Sequence, residues 1–156
     1  MRIYSIGHSN LTVETFIELL KKNDIQVLVD VRSYPYSKYA SQFNKEDFQR
    51  SVENNGIEYI YLGNLLGGKP DDLNLHNRLN SIDYDKLEHS QKYTEGIKQL
   101  EELAAHRTIT IMCSEGNYKE CHRYKLITKT LEKNNIEVMH ILPSGKVEHT
   151  TQKVLF

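Results

Sequence analysis

The chain has no tryptophan and two cysteines among its 156 residues. Two thiols cannot build a disulfide framework, so a reduced, cytoplasmic protein is the default expectation. No apolar run approaches the roughly 18 residues of a helical membrane span. Neither sign of charge dominates. A net charge of −1, with 26% charged residues, supplies no global basic field for nucleic acid, though it leaves room for a local basic patch. Repeats, low-complexity stretches and linkers are missing too. The opening residues, RIYSI, read as a strand and not as a signal peptide. The length suits one domain over residues 1–156, large enough to bury a core.

Tyrosine, by contrast, is abundant. There are 10, and Tyr34, Tyr36 and Tyr39 fall in one short loop. These rings can stack on a base or simply cover the loop that carries them.

Apolar periodicity sets out alternating strands and helices. Arg2 to Ile6 reads as a strand running into Gly7-His8-Ser9-Asn10. Thr12 suits a helix N-cap, with Leu11 and Phe16 at the positions of a hydrophobic staple. Val13, Phe16, Ile17 and Leu20 give that helix one apolar face. Ile25 to Val31 is a nearly continuous apolar run, as expected of a parallel strand covered on both sides. A polar and aromatic loop, 32–44, leads to Asn44, which can cap a helix carrying Phe48 and Val52 and stopped by Gly56. Ile57 to Leu62 is a third strand, 63–70 a glycine-rich loop, and 71–90 a polar excursion with weak helical content. Tyr93, Ile97, Leu100 and Ala104 mark a helix, Thr108 to Met112 a strand, Tyr124, Ile127 and Leu131 a helix, and Ile136 to Ile141 a fifth strand. The tail after Pro143-Ser144-Gly145 forms either a hairpin or a pendant strand. This order predicts an α/β three-layer sandwich with a mostly parallel sheet of about five strands.

In such sheets ligands bind beyond the carboxyl ends of the strands. The segments expected there hold most of the reactive side chains: His8, Ser9 and Asn10; Asp30, Arg32 and Ser37; Gly67 and Gly68; and Cys113 to Arg123. In the stretch TITIMCSEGNYKECHR, Cys113 ends an apolar strand and Cys121-His122-Arg123 opens a helix. A helix N-terminus favours anions and lowers a thiol's pKa. Cys113 is therefore a candidate nucleophile, or else a buried core cysteine. Cys121 either resolves an oxidised Cys113 or packs at the helix start. Glu115 and His122 are candidate acid–base groups. Arg123 and Arg32 are candidate anion ligands, and Arg123 has Glu115, Glu120 and Asp30 as alternative partners. Asp30 suits a loop-ordering acceptor of backbone N–H bonds, and Ser9 or Asn10 can serve the next helix's N–H groups. Cys113, Cys121 and His122 are three potential zinc ligands, with His8 as a fourth, but their spacing matches no zinc-finger pattern. No metal or cofactor is expected. Gly67-Gly68-Lys69 is too short for a phosphate loop.

Four blocks in order, IGHSN at 6–10, LVDVRSYPYSKY at 28–39, GIEYIYLGNLLGG at 56–68 and CSEGNYKECHR at 113–123, give the chain a family resemblance. It resembles the bacterial and archaeal family Domain of Unknown Function 488 over roughly residues 3–141. The resemblance implies a shared fold and a site at Gly7, His8, Ser9, Asp30, Arg32, Pro35, Ser37, Gly67, Gly68, Cys113, Glu115, Cys121, His122 and Arg123. It implies no reaction. The order of LVDVR, a cysteine loop, a helix and a further strand is more distantly similar to rhodaneses, whose cysteine carries a persulfide. Glu115 departs from that pattern, and Lys119 stands where a cysteine phosphatase would carry arginine, so sulfur transfer and phosphatase activity follow only by fold analogy.

These residues point first to a cysteine-dependent enzyme acting on an anionic or sulfur-containing small molecule. The alternative is a non-catalytic nucleotide or nucleic-acid binding module using the same cleft, and a zinc-dependent hydrolase is a third reading. Nothing in the sequence bears on oligomeric state.

Overall fold

Strand alternation decides what each face of the sheet carries. In the computed structural model, which describes residues 1–67 and 84–149 and only the backbone of 122–124, five short strands run parallel. The chain passes through β1 (Arg2–Gly7), α1 (Val13–Lys22), β2 (Val27–Asp30), α2 (Lys45–Asn54), β3 (Glu58–Tyr61), α3 (Gly63–Leu66), α4 (Tyr84–Glu88) and α5 (Gln91–His106). It continues through β4 (Ile109–Cys113), α6 (His122–Lys133), β5 (Glu137–Ile141) and β6 (Val147–His149). The sheet order is β3-β2-β4-β1-β5-β6, with β6 antiparallel to β5. The expected α/β sandwich is present, and the tail after Pro143 is resolved as a hairpin. Its turn is closed by the Gly145 N–H on the Leu142 carbonyl at 2.8 Å, with Gly145 at φ +94°.

Successive residues of a strand point to opposite faces. Val27, Val29, Ile109, Ile111 and Val138 therefore face one layer, where they pack with Leu100 of α5 and Ile127 and Leu131 of α6. Leu28, Met112 and Ile6 face the other, where they pack with Phe16 of α1, Phe48 of α2 and Phe43 of the intervening loop. Both faces are covered, which accounts for the almost unbroken apolar run of β2.

Local signals act as their chemistry demands. The Thr12 hydroxyl caps α1 by accepting the Thr15 N–H at 3.1 Å. Leu11 and Phe16 join one apolar cluster. Gly56 takes φ +78° just after α2, where a Cβ would be strained. Asn44 holds the N-cap position of α2, but its side chain makes no cap bond; its Oδ1 accepts the Ser37 N–H at 2.8 Å instead. The loop expected over 63–70 is instead helical across Gly63–Leu66. That turn drives Leu66 into the core, against the Cβ-less surface of Gly96 on α5. Gly68, Lys69, Pro70 and most of the 71–90 excursion lie outside the described residues, whereas Tyr84–Glu88 is helical. Among the described residues no helix is long and apolar enough to cross a membrane.

Candidate functional site

At the carboxyl edge the loops after β1 and β4 remain joined beyond the strands. The His8 N–H donates to the Cys113 carbonyl at 3.1 Å and the Ser9 N–H to the Ser114 carbonyl at 2.9 Å. The β4 loop lies so close over β1 that a Cβ on Gly7 would overlap the Glu115 carbonyl group. Ser9 has φ +48°, a conformation that costs a non-glycine residue about 1–2 kcal/mol. Ser9, Glu115 and Gly116 line an open cleft of about 590 Å³. Pro143, Ser144 and Glu148 of the β5–β6 hairpin also line it, as do Tyr118 and Lys119. The volume suits a small molecule. Glu115, Glu120 and Glu148 stand in that lining against one ammonium, Lys119.

On the α1–α2 face the structure assembles a buried polar group. Arg32 pairs with Asp30 through two bonds, Nε to Oδ1 at 2.9 Å and Nη2 to Oδ2 at 2.8 Å. Both residues are buried. Asp30 Oδ1 also accepts the Arg32 N–H at 3.1 Å, the loop-ordering bond its position suggested. The Tyr59 hydroxyl donates to Asp30 Oδ2 at 2.5 Å. Burial, then the neighbouring carboxylate, raises the Tyr59 phenol. His8 stacks on Phe43, with ring centroids 4.5 Å apart. Burial pushes its pKa down to about 4, against the bond between its Nδ1 and the Ser9 carbonyl, and Arg32 adds to the lowering. His8 is therefore a neutral imidazole at pH 7. Arg32, expected as an anion ligand, is committed to Asp30.

The opposite face holds the cysteines. Asp30 pairs with Met112 across the sheet, so Cys113, one residue on, points the other way, into the α5–α6 layer. It is 0% exposed and does not line the cleft. Its Sγ lies 3.8 Å from the Glu115 carbonyl oxygen, to which the thiol donates. The expectation that Cys113 faces a ligand at the sheet edge is thus corrected, because the parity of β4 sends it inward. Cys121 is also buried in that layer, at the N-cap position of α6 without capping it.

The same face carries a polar cluster that the sequence did not suggest. The Ser5 hydroxyl and His140 Nδ1 share a hydrogen bond, joining paired positions of β1 and β5. Tyr118 stacks flat on His140, with centroids 3.8 Å apart, and donates its hydroxyl to Glu148 at 3.0 Å. Burial pushes His140 down to about 4, with His149 adding to the effect. Tyr118 connects this cluster to the cleft wall. The available signal was parity: Ser5 follows Ile3, and His140 follows Val138, on the buried side of their strands.

The other expected site residues divide. Ser37 builds a turn, its Oγ accepting the N–H groups of Tyr39 at 3.1 Å and Ala40 at 3.3 Å. Gly67 is packed against Ser33, where a Cβ would collide. Asn10 is exposed. His122 and Arg123 begin α6, but their side chains, like the whole of Gly68, lie outside the described residues. Among the described residues no three His, Cys, Asp or Glu side chains converge as metal ligands. His8 and the two cysteines belong to opposite sides of the sheet. In the loop after β2, Tyr34 is 74% and Tyr39 95% exposed.

A comparison with curated proteins gives no match. Among solved structures, the chain is similar to a crystal structure from Shewanella putrefaciens CN-32 of a protein named "Putative phosphatase (DUF442)". The identity is 19% and the TM-score 0.41, over 81% of this chain and 66% of that one. The chain thus spans just under two thirds of that protein's length. A family model matches residues 12–130, and the chain belongs to that family, Domain of unknown function DUF488.

Proposed function

We propose that the protein is a binding module for a nucleotide or a nucleic-acid segment, held at the carboxyl edge of the sheet. The observation that carries this reading is an inversion of exposure. The thiols that chemistry would need are turned into the core, while the tyrosines of the β2 loop are turned out to solvent. A tyrosine that merely covered its loop would bury its ring. The cleft between Ser9, Glu115 and the hairpin offers small-molecule volume elsewhere along the same sheet edge, with Lys119 as the one ammonium among its acidic lining. Neither cysteine is in a disulfide, which agrees with a cytoplasmic setting.

The second reading is a thiol-dependent enzyme acting on an anionic substrate. What favours it is Cys121 at the N-cap position of α6, where the helix start would stabilise a thiolate. Two measurements separate the readings. A nucleoside triphosphate at 100 times its Kd stabilises by about 2.7 kcal/mol, which raises the melting temperature of a chain this size by roughly 5–10 °C. The binding module predicts such a shift with both thiols inert to alkylation. No shift with any nucleotide, together with a thiol reacting in the native protein at neutral pH, supports the enzyme instead.

A further inference from the structure

We propose that the loop from Ser33 to Lys45 is a stacking platform for single-stranded nucleic acid, with Tyr34 and Tyr39 receiving bases and Lys38 and Lys45 facing phosphates. This rests on the binding-module reading above and names its ligand and surface.

The loop is firmly built by bonds other than those of the Tyr34 and Tyr39 rings. The Lys45 N–H donates to the Pro35 carbonyl at 3.0 Å, and the Ser37 N–H to Asn44 Oδ1 at 2.8 Å. Gln42 Nε2 reaches the Leu11 carbonyl at 3.0 Å. The Tyr61 hydroxyl holds the Arg32 carbonyl at 2.7 Å. Ala40 and Phe43 anchor the loop in the core. Against that fixed frame, Tyr39 is 95% exposed and Tyr34 74%. Tyr34 touches Tyr36 edge-on, with centroids 5.3 Å apart, so the two rings hold each other in place without being covered. The exposed large apolar side chains among the described residues are Met1 and these three tyrosines. A rigid loop that presents bare aromatic faces is preorganised for flat partners.

Charge narrows the partner. From Ser33 to Lys45 the sequence contains two lysines and no carboxylate. Lys45 Nζ sits 5.3 Å from the Tyr61 ring centroid, so its ammonium is held at this surface. Of the first acids beyond the loop, Asp47 pairs with Arg50, whereas Glu46 accepts the Tyr36 hydroxyl at 2.7 Å and keeps its charge at the loop's end. The patch is locally positive on a chain of net charge −1. A duplex needs a broad basic surface and hides its bases. A single strand needs rings on which bases stack and a few cations, and every base has a face to offer.

The experiment is fluorescence anisotropy with a labelled oligothymidylate of about a dozen nucleotides, against a duplex of equal length. Tyr34→Ala/Tyr39→Ala alters only solvent-facing rings, and circular dichroism verifies its fold. The expected result is single-strand binding that weakens at least about tenfold in this variant and is kept by Tyr34→Phe/Tyr39→Phe. Lys38→Ala should lower the slope of log affinity against log salt by about 0.7. Equal affinity of the alanine variant and the parent overturns the proposal, as does duplex binding as tight as single-strand binding. Tyrosine-dependent self-association without strand binding also overturns it and makes the loop a protein interface. Mononucleotide stabilisation that survives in the alanine variant, with no strand binding, sinks this inference and leaves the binding module standing. If neither ligand binds, both readings fail.

Discussion

Acid should weaken this fold through two imidazoles well before its carboxylates protonate. His8 and His140 are buried and each is pushed down from 6.5 to about 4. His8 faces Phe43, Arg32 and Asp30; His140 faces Ser5, Tyr118 and His149. Both are neutral in the native state across most of the acid range, whereas in the unfolded chain they take up protons below 6.5. The unfolded state therefore binds more protons as pH falls, and stability is lost on going down through that window. Each proton is worth about 1.4 kcal/mol per pH unit, so each imidazole accounts for about 3 kcal/mol by pH 4. Near pH 5.5 the two together give a slope of about 2.5 kcal/mol per pH unit. That is a large share of a total of roughly 5–15 kcal/mol. The assay is urea unfolding at closely spaced pH values from 7 to 4.5, with His8→Gln and His140→Gln each expected to remove about half of the slope. Histidine resonances of the native protein, followed by NMR, report the same groups directly. A stability that stays flat between pH 6.5 and 5, or native imidazoles that titrate near 6.5, would refute the reasoning.

Asp30→Ala leaves the Arg32 guanidinium, the Tyr59 hydroxyl and a backbone N–H without their buried acceptor, and should cost about 3–5 kcal/mol in urea unfolding. Tyr59→Phe should cost less, about 1.5–3 kcal/mol, because it removes one bond to a charged acceptor. Gly7→Ala forces a methyl into the backbone of the β4 loop and should cost about 3 kcal/mol, with heightened proteolysis after Cys113; an unchanged melting temperature would mean the loop is not held there. Cys113, isolated in a Cys121→Ser variant, should label with iodoacetamide only on unfolding, at a rate that at fixed pH rises with denaturant. Fast native labelling that rises with pH would restore the nucleophile.

The alternating elements were legible because both core layers leave periodic marks. Thr12 and Gly56 announced a cap and a stop, and the apolar run before Asp30 announced a covered strand. Glycine at 63 was misleading. Residues 63–66 read as loop, yet Leu65 and Leu66 carry enough apolar demand to close a helical turn onto α5. Asn44 shows why cap signals are ambiguous: a side chain at the right position can spend its acceptor on a neighbouring turn. Ser5 and His140 escaped notice because polar residues inside apolar strands look like interruptions until register makes them partners. Register is a property of two strands, and neither strand states it alone.

The same register argument settles how the reactive residues are apportioned. Placing every chemical side chain at one sheet edge gathers them along the strand axis but says nothing about faces. In β2 and β4 the register Asp30 to Met112 fixes the faces outright. Asp30 and Arg32, two residues apart, share a side with Tyr59 and His8 and neutralise each other there. Cys113, one residue past Met112, falls on the side of Cys121 and His140. A cleft chemistry using Cys113 and Arg32 together would have to act through the sheet itself. Among the described residues, the edge presents to solvent the loops at Ser9 and Gly116 and the tyrosines after β2. A ligand that meets this protein meets those first. Stacking on the tyrosines and contact with the loop backbone are what the proposed binding module would use, with both thiols packed in the core beneath.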